Sequence, residues 1–196
     1  MPANKSVEKA LAAMNSDASK TLGLTVGQHT QVKPGTYIPK AGRCIEATDT
    51  QSADAQSPPE ILYPAASADK TYLAMSLDLD APFKSLPVLG PIWHWCQSDL
   101  RIASAAGTAT TTPSGKLEPA EPPVVNYIGP APPPGASPHR YAFFLYEQPA
   151  GFDAKARSPA GGKEVGVKPR MWFSLDEWEA KVGLGEVLAL NYFTSN

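Results

Sequence analysis

Proline sets the first limit on this chain. There are 21 prolines in 196 residues, about twice the ordinary usage of about 5%. Each fixes φ and removes a backbone N–H, so it interrupts a helix and is shut out of a central strand. Prolines in this number disfavour long helices and fit strands joined by stiff loops. The densest group is Pro130-Ala131-Pro132-Pro133-Pro134-Gly135-Ala136-Ser137-Pro138, followed at once by His139-Arg140-Tyr141. A loop of this kind loses little entropy on being held in one shape. It delivers a histidine at the start of the next strand.

The length suits one well-packed domain spanning residues 1–196. Hydrophobic residues make up 42% and the net charge is −2, as in a soluble globular protein. That charge is small and of the wrong sign for a nucleic-acid binder, and no basic run appears. Cys44 and Cys96 form neither a zinc pattern nor a disulfide framework. They read as free thiols in a reducing compartment, with a single bridge left open. No signal-peptide pattern and no membrane-length apolar stretch is present, so a cytoplasmic protein without a transmembrane segment is expected.

Residues 6–22 predict an amphipathic helix. Val7, Ala10, Leu11, Met14, Ala18 and Leu22 form one apolar stripe, Ser6 is placed to cap it and Gly23 to stop it. The stripe serves either packing on the domain or binding of a partner. Residues 41–60 and 104–123 are polar surface excursions. Strands are predicted from the alternation of Leu73, Met75, Leu77 and Leu79, and at 92–100, 124–128, 141–146 and 187–193. Ser174-Leu175-Asp176-Glu177 opens a further helix with a capping box, a Phe173–Trp178 staple and a stop at Gly183. Strands linked mostly by loops favour an antiparallel or mixed β architecture with peripheral helices.

In an extended segment Asp78 and Asp80 share a face. Paired this closely, they need cations, donors or a shared proton. The residues alone leave a functional pair and a pair of loop-capping carboxylates equally open. If Trp93 and Trp95 face the core, His94 points the other way; a lone histidine there is more often structural. Asp78, His94 and His139 could form a two-histidine, one-carboxylate metal site, but no short ligand spacing prebuilds one. No nucleophile elbow and no phosphate-binding glycine loop is present. What remains is a small anion or polar headgroup held by imidazole N–H groups and the backbone amides around Gly129–Ala131.

These residues resemble the phosphatidylethanolamine-binding protein family, which includes the Raf kinase inhibitor proteins, plant flowering regulators and a yeast carboxypeptidase inhibitor. Asp78-Leu79-Asp80-Ala81-Pro82 is similar to the family's D-P-D-A-P motif. His94-Trp95 resembles its second-histidine segment, and Tyr127-Ile128-Gly129-Pro130-Ala131-Pro132-Pro133 through His139-Arg140-Tyr141 its G-x-x-P-P-x-G-x-x-x-H-R-Y segment. Phe143 to Gln148 and Leu184 to Phe193 also read like the family, so the resemblance covers roughly residues 60–193. The wording of the proline loop is particularly similar to the fungal, carboxypeptidase-inhibitor branch.

The resemblance implies an antiparallel β-sandwich-like single domain with a small surface pocket for phosphate or phosphorylethanolamine-like anions. Asp78, Asp80, His94 and His139 would line it. Ala81, Pro82, Gly129, Ala131, Pro132 and Tyr141 would shape its wall. It further implies a monomer without cofactor, metal or catalytic residues. Such a protein would regulate a protease or kinase, with peripheral membrane contact compatible with a lipid headgroup as ligand. The alternatives are a serine carboxypeptidase inhibitor acting mainly through the N-terminal helix and, less favoured, a metal-dependent enzyme. Leu79 replaces the family proline between the acids. Ala131 stands where many members have glycine, which would redirect that amide if the backbone needs positive φ. The chain stops at Asn196, where many animal members continue into a C-terminal helix.

Overall fold

The alternating run at 73–79 forms the middle of the molecule. It lies in strand β4 (Tyr72–Asp78), which pairs along its whole length with β7 (His139–Glu147) on one side and with β5 (Ile92–Ile102) on the other. The computed structural model describes residues 4–40, 54–103 and 115–196. Among these, the remaining strands are β1 (Gly23–Thr25), β2 (Thr36–Tyr37), β3 (Glu60–Leu62), β6 (Lys116–Pro119) and β8 (Ala189–Ser195). The helices are α1 (Lys5–Ser16), α2 (Ala154–Arg157) and α3 (Leu175–Val182).

The strands form one sheet in the order β1-β3-β6-β5-β4-β7-β8-β2, antiparallel throughout except for the parallel β2–β8 pair. Its two edges, β1 and β2, are joined only by residues 26–35. Edges of a flat eight-stranded sheet would lie about 34 Å apart, the fully extended reach of such a link, also about 34 Å. The link is shortened by turns in which His29 N–H bonds Val26 O and Thr36 N–H bonds Lys33 O. The sheet therefore curls, and a mixed curled sheet takes the place of two separate antiparallel layers.

Both faces are covered, which is why every residue of β4 is buried. Leu73, Met75, Leu77, Trp93, Phe144 and Tyr146 pack against Val7, Ala10 and Met14 of α1 and Leu175, Trp178 and Val182 of α3. The opposite face, with Tyr72, Ala74, Trp95, Phe143, Leu145 and Phe193, closes on Leu22, Leu24 and Ile38 inside the curl. Burying side chains such as Val7 and Met14 stabilises the fold by about 1.5–3 kcal/mol each.

The N-terminal helix is shorter than its pattern predicts. It ends at Ser16, and Asp17 starts a separate 3-10 turn by accepting the Ser19 N–H. Asn15, Ser16 and Asp17 compete with the helix for backbone hydrogen bonds. Leu22 belongs to the other core cluster. The cap is tertiary rather than local. Asp176 of α3 accepts the N–H groups of Lys5 and Ser6, each at 2.9 Å, while Asn4 Oδ1 accepts the N–H of Leu175 at 2.6 Å. The two helix N-termini thus cap each other.

α3 follows its sequence signals. Ser174 Oγ accepts the Glu177 N–H, the rings of Phe173 and Trp178 lie 6.3 Å apart, and Gly183 takes φ +74°. Residues 124–128 do not make the expected strand. They contribute one bridge, Val125 to Cys96, and a bond from Ile128 N–H to His94 O; Pro122, Pro123 and Pro130 flank them and donate nothing to a ladder. The second excursion contains β6, and residues 104–114 lie outside the described residues. So do residues 41–53 of the first excursion, Cys44 with them. Cys96 is a free, fully buried thiol, and burial raises its pKa. No described helix is long and apolar enough to cross a membrane.

Candidate functional site

The two acids do not stay on one face. β4 ends at Asp78, where its Oδ1 accepts the N–H of Asp80 at 2.8 Å. That turn breaks the period of two and separates the carboxylates. Asp78 Oδ2 reaches His139 Nδ1 at 2.9 Å. Asp80 turns to Arg140, accepting its backbone N–H and Nε at 2.9 Å each and Nη2 at 2.6 Å. His139 and Arg140 are consecutive on β7, so they leave the strand on opposite sides, and each takes one acid. Like-charge repulsion is relieved by giving each buried carboxylate its own hydrogen-bond partner. For Asp80, burial would raise the pKa, but the Arg140 hydrogen bonds and charge, with Lys84 adding to them, hold it below the ordinary value.

A β-bulge sets His94. Ser76 pairs with Trp95 and Leu77 with Trp93, so β5 spends two steps where β4 spends one. His94 is the extra residue, and a bulge of this kind re-aims the side chain it carries. The tryptophans consequently face opposite clusters, not one core as the alternation suggests. His94 is 5% exposed, Nδ1 lies 2.7 Å from Ile128 O, and the ring meets Tyr141 edge-on. The carbonyl fixes the proton on Nδ1 and leaves Nε2 as an acceptor. Burial lowers the pKa of His94. The Asp78 charge and the Ile128 carbonyl oppose this, and the charges of Arg170 and His139 add to it.

His139 has the opposite setting. Burial would lower its pKa, but the bond and charge of Asp78, the charge of Asp80 and the Pro82 carbonyl outweigh it and raise the value. Both ring nitrogens face acceptors, Nδ1 towards Asp78 and Nε2 towards Pro82 O at 3.1 Å, which stabilises the imidazolium. The two imidazoles are thus biased in opposite directions, His139 towards its charged form and His94 towards its neutral form.

The proline loop closes the other side. A Cβ on Gly129 would collide with Gln56 Oε1 and lie 2.9 Å from Ala55 O, so only glycine fits. Gln56 donates to Pro130 O, and Tyr127 donates its hydroxyl to Ala55 O. Asp78, Ala81, Pro82, His94, Gly129, Ala131, Pro132 and His139 line a cavity of about 330 Å³, together with Leu89, Ile92, Ile128, Pro133 and Val167. Asp80 and Tyr141 are outside that wall. Asp80 is held by Arg140, and the buried Tyr141 hydroxyl lies beneath the wall, near Asp78 and the Ala131 amide. Among the described residues no three His, Cys, Asp or Glu side chains are grouped to hold a metal ion, and both nitrogens of His139 already face other groups.

Sequence reasoning gave no hint of Arg170. It is fully buried, and its guanidinium donates to Val165 O, Gly166 O, Trp93 O, His94 O and Asn126 Oδ1. It thus ties the backbone of the bulge to the loop carrying Val167. A single arginine between Pro169 and Met171 carries no sequence signal of burial. Leu89, Ile92, Ile128, Pro133 and Val167 of the wall were equally hidden, because they come from segments far apart in the chain.

A curled mixed sheet with helices on one face, and a cavity holding two imidazoles at the ends of β4, β5 and β7, is the architecture of phosphatidylethanolamine-binding proteins. The chain belongs to that family: the family's sequence pattern, described as phosphatidylethanolamine-binding protein, matches residues 28–193. The carboxypeptidase Y inhibitor of Saccharomyces cerevisiae is 34% identical over 94 residues, 44% of this chain and 42% of that protein. Phomoidride biosynthesis cluster protein N of Talaromyces stipitatus is 30% identical over 103 residues, 53% of this chain and 48% of that protein. The chain thus spans about half the length of the curated relatives it matches. The carboxypeptidase Y inhibitor in complex with its cognate proteinase superposes with a TM-score of 0.65 at 22% identity, covering 98% of this chain and 93% of the other. A phosphatidylethanolamine-binding protein from Plasmodium vivax gives 0.59 at 13% identity, over 100% and 98%.

Proposed function

We propose that this protein binds small phosphate-like anions or phospholipid headgroups in the His94–His139 cavity and regulates a protein partner of the protease type. The observation that carries the anion reading is the pairing of imidazoles at the cavity floor. His139, which Asp78 biases towards its protonated form, supplies positive charge when protonated. His94, whose burial favours the neutral ring, takes up a proton as an anion arrives, converting its Nε2 from acceptor to donor. Titration of inorganic phosphate by calorimetry tests this. Affinity rises as pH falls, with proton uptake, and His94→Gln flattens the rise below about pH 6.5. Affinity that stays level or weakens on acidification removes the imidazolium from the account.

The protease reading is supported by the relationship to the carboxypeptidase Y inhibitor. Inhibition of a purified serine carboxypeptidase is the direct assay, and undiminished peptidase activity at saturating protein refutes it. The N-terminal helix is a weaker candidate for the inhibitory element than its stripe suggests. Val7, Ala10 and Met14 are buried in the protein's own core, so only the outer face of α1 is free to meet a partner. Deleting the helix would uncover that core. Substitution of the exposed Glu8 is the cleaner probe of α1.

A further inference from the structure

Alanine at position 131 does not redirect its amide through φ. Among the described residues only Gln31, Asp99 and Trp172 combine a side chain with positive φ. Ala131 therefore has an ordinary backbone, and another contact must aim its N–H. A trans peptide is planar, with its C=O and N–H pointing in opposite directions. The unit that carries the Ala131 N–H has Pro130 O at its other end. Whatever holds Pro130 O thus aims the Ala131 N–H. Gln56 holds it. Nε2 of Gln56 donates to Pro130 O at 3.3 Å and to Lys40 O at 3.2 Å, which engages both hydrogens of the amide. Neither Gln56 nor Pro130 lines the cavity, whereas Gly129 and Ala131 do. With Pro130 O drawn to Gln56 on the outer side, the Ala131 N–H turns to the inner side, where it lies near the buried Tyr141 hydroxyl.

Gln56 serves as a fixed point because the turn that carries it is pinned from several sides. The 3-10 turn Asp54–Gln56 buries Ala55 completely, and Ala55 O accepts the Tyr127 hydroxyl at 2.9 Å. Asp54 Oδ2 meets His29 Nε2 at 3.3 Å and occupies the place where a Cβ on Gly27, at φ +55°, would fall. Chemistry selects the amide at position 56. Both of its partners are carbonyl oxygens, so a carboxylate there would offer them no donor. We propose that Gln56 is a positioning residue of the anion site. It touches no ligand, and it aims the Ala131 N–H into the cavity by holding the other end of the same peptide unit.

This role rests on the anion reading of the cavity, and the experiment keeps the two apart. Gln56 is exposed, and Gln56→Met preserves the length and neutrality of its side chain while removing both donated bonds. In the variant without ligand, the NMR signals of the Pro130 carbonyl carbon and the Ala131 amide nitrogen shift, since both report on the bond to Pro130 O. With inorganic phosphate, the Ala131 amide proton moves downfield in the wild type and much less in the variant, while the His139 ring responds alike in both. Calorimetric phosphate affinity falls about tenfold or more, as for one lost hydrogen bond to a charged acceptor. Unmoved Pro130 and Ala131 signals in the ligand-free variant, or wild-type phosphate affinity in it, overturn the role. A wild type that binds no phosphate, with Pro130 and Ala131 signals that move on substitution, defeats the anion reading and leaves the orientation standing.

Discussion

Replacing Arg170 with methionine probes the fold and the site together. The guanidinium makes six hydrogen bonds to five oxygens and none to a carboxylate. Two of those oxygens keep another donor: His94 O holds the N–H of Ile128, and Asn126 Oδ1 holds that of Val165. Val165 O, Gly166 O and Trp93 O lose what Arg170 supplies. At about 1–3 kcal/mol for each acceptor left unsatisfied, the loss is about 3–9 kcal/mol. Removing a buried charge without an ion-pair partner returns several kcal/mol. A net destabilisation of about 3 kcal/mol follows, which for a chain of this size lowers Tm by about 6–12 °C. Differential scanning calorimetry at neutral pH measures it. The Arg170 charge also helps to depress the pKa of His94, so the His94 ring protons, followed by NMR, titrate at higher pH in the variant. A Tm within about 2 °C of wild type, with an unchanged His94 titration, would refute the view that this arginine braces the bulge.

Asp78→Asn removes the main support for the His139 imidazolium, so His139 titrates at lower pH; an unmoved NMR titration counts against the pair. The raised pKa of His139 contributes stability that is full below its unfolded value, about 6.5, and is lost as pH rises through the folded value. The Asn variant is accordingly more destabilised at pH 6 than at pH 9 in urea titrations. Asp176→Ala strips two amide acceptors from the start of α1 and costs about 1–2 kcal/mol, read as a fall in urea midpoint. Burial works to raise the pKa of Asp176, but the Ser6 and Lys5 amides prevail and lower it. Its contribution is thus present above the unfolded value and lost as pH falls through the folded one. Equal acid sensitivity in wild type and variant would dismiss the mutual capping of α1 and α3.

The sequence alone determined the elements whose signals are local. Ser174, Phe173 and Gly183 act within a few residues of one another, and α3 formed as they predict. The alternation at 73–79 made β4, and the rigid loop before His139 delivered that residue to the first position of β7. The motif residues were legible because their spacing and wording resemble a family. Tertiary structure decided everything that depends on which segments meet. Asp78 and Asp80 were separated by the partners that β7 offered them. His94 was aimed by a bulge that exists only in the register between two strands. α1 took its N-terminal cap from α3, far along the chain. Arg170 gained meaning only when the loop that carries it met the backbone of the bulge. The physical reason is range: propensity and capping act across a few bonds, whereas burial, charge pairing and register are properties of neighbours that the chain brings together only by folding.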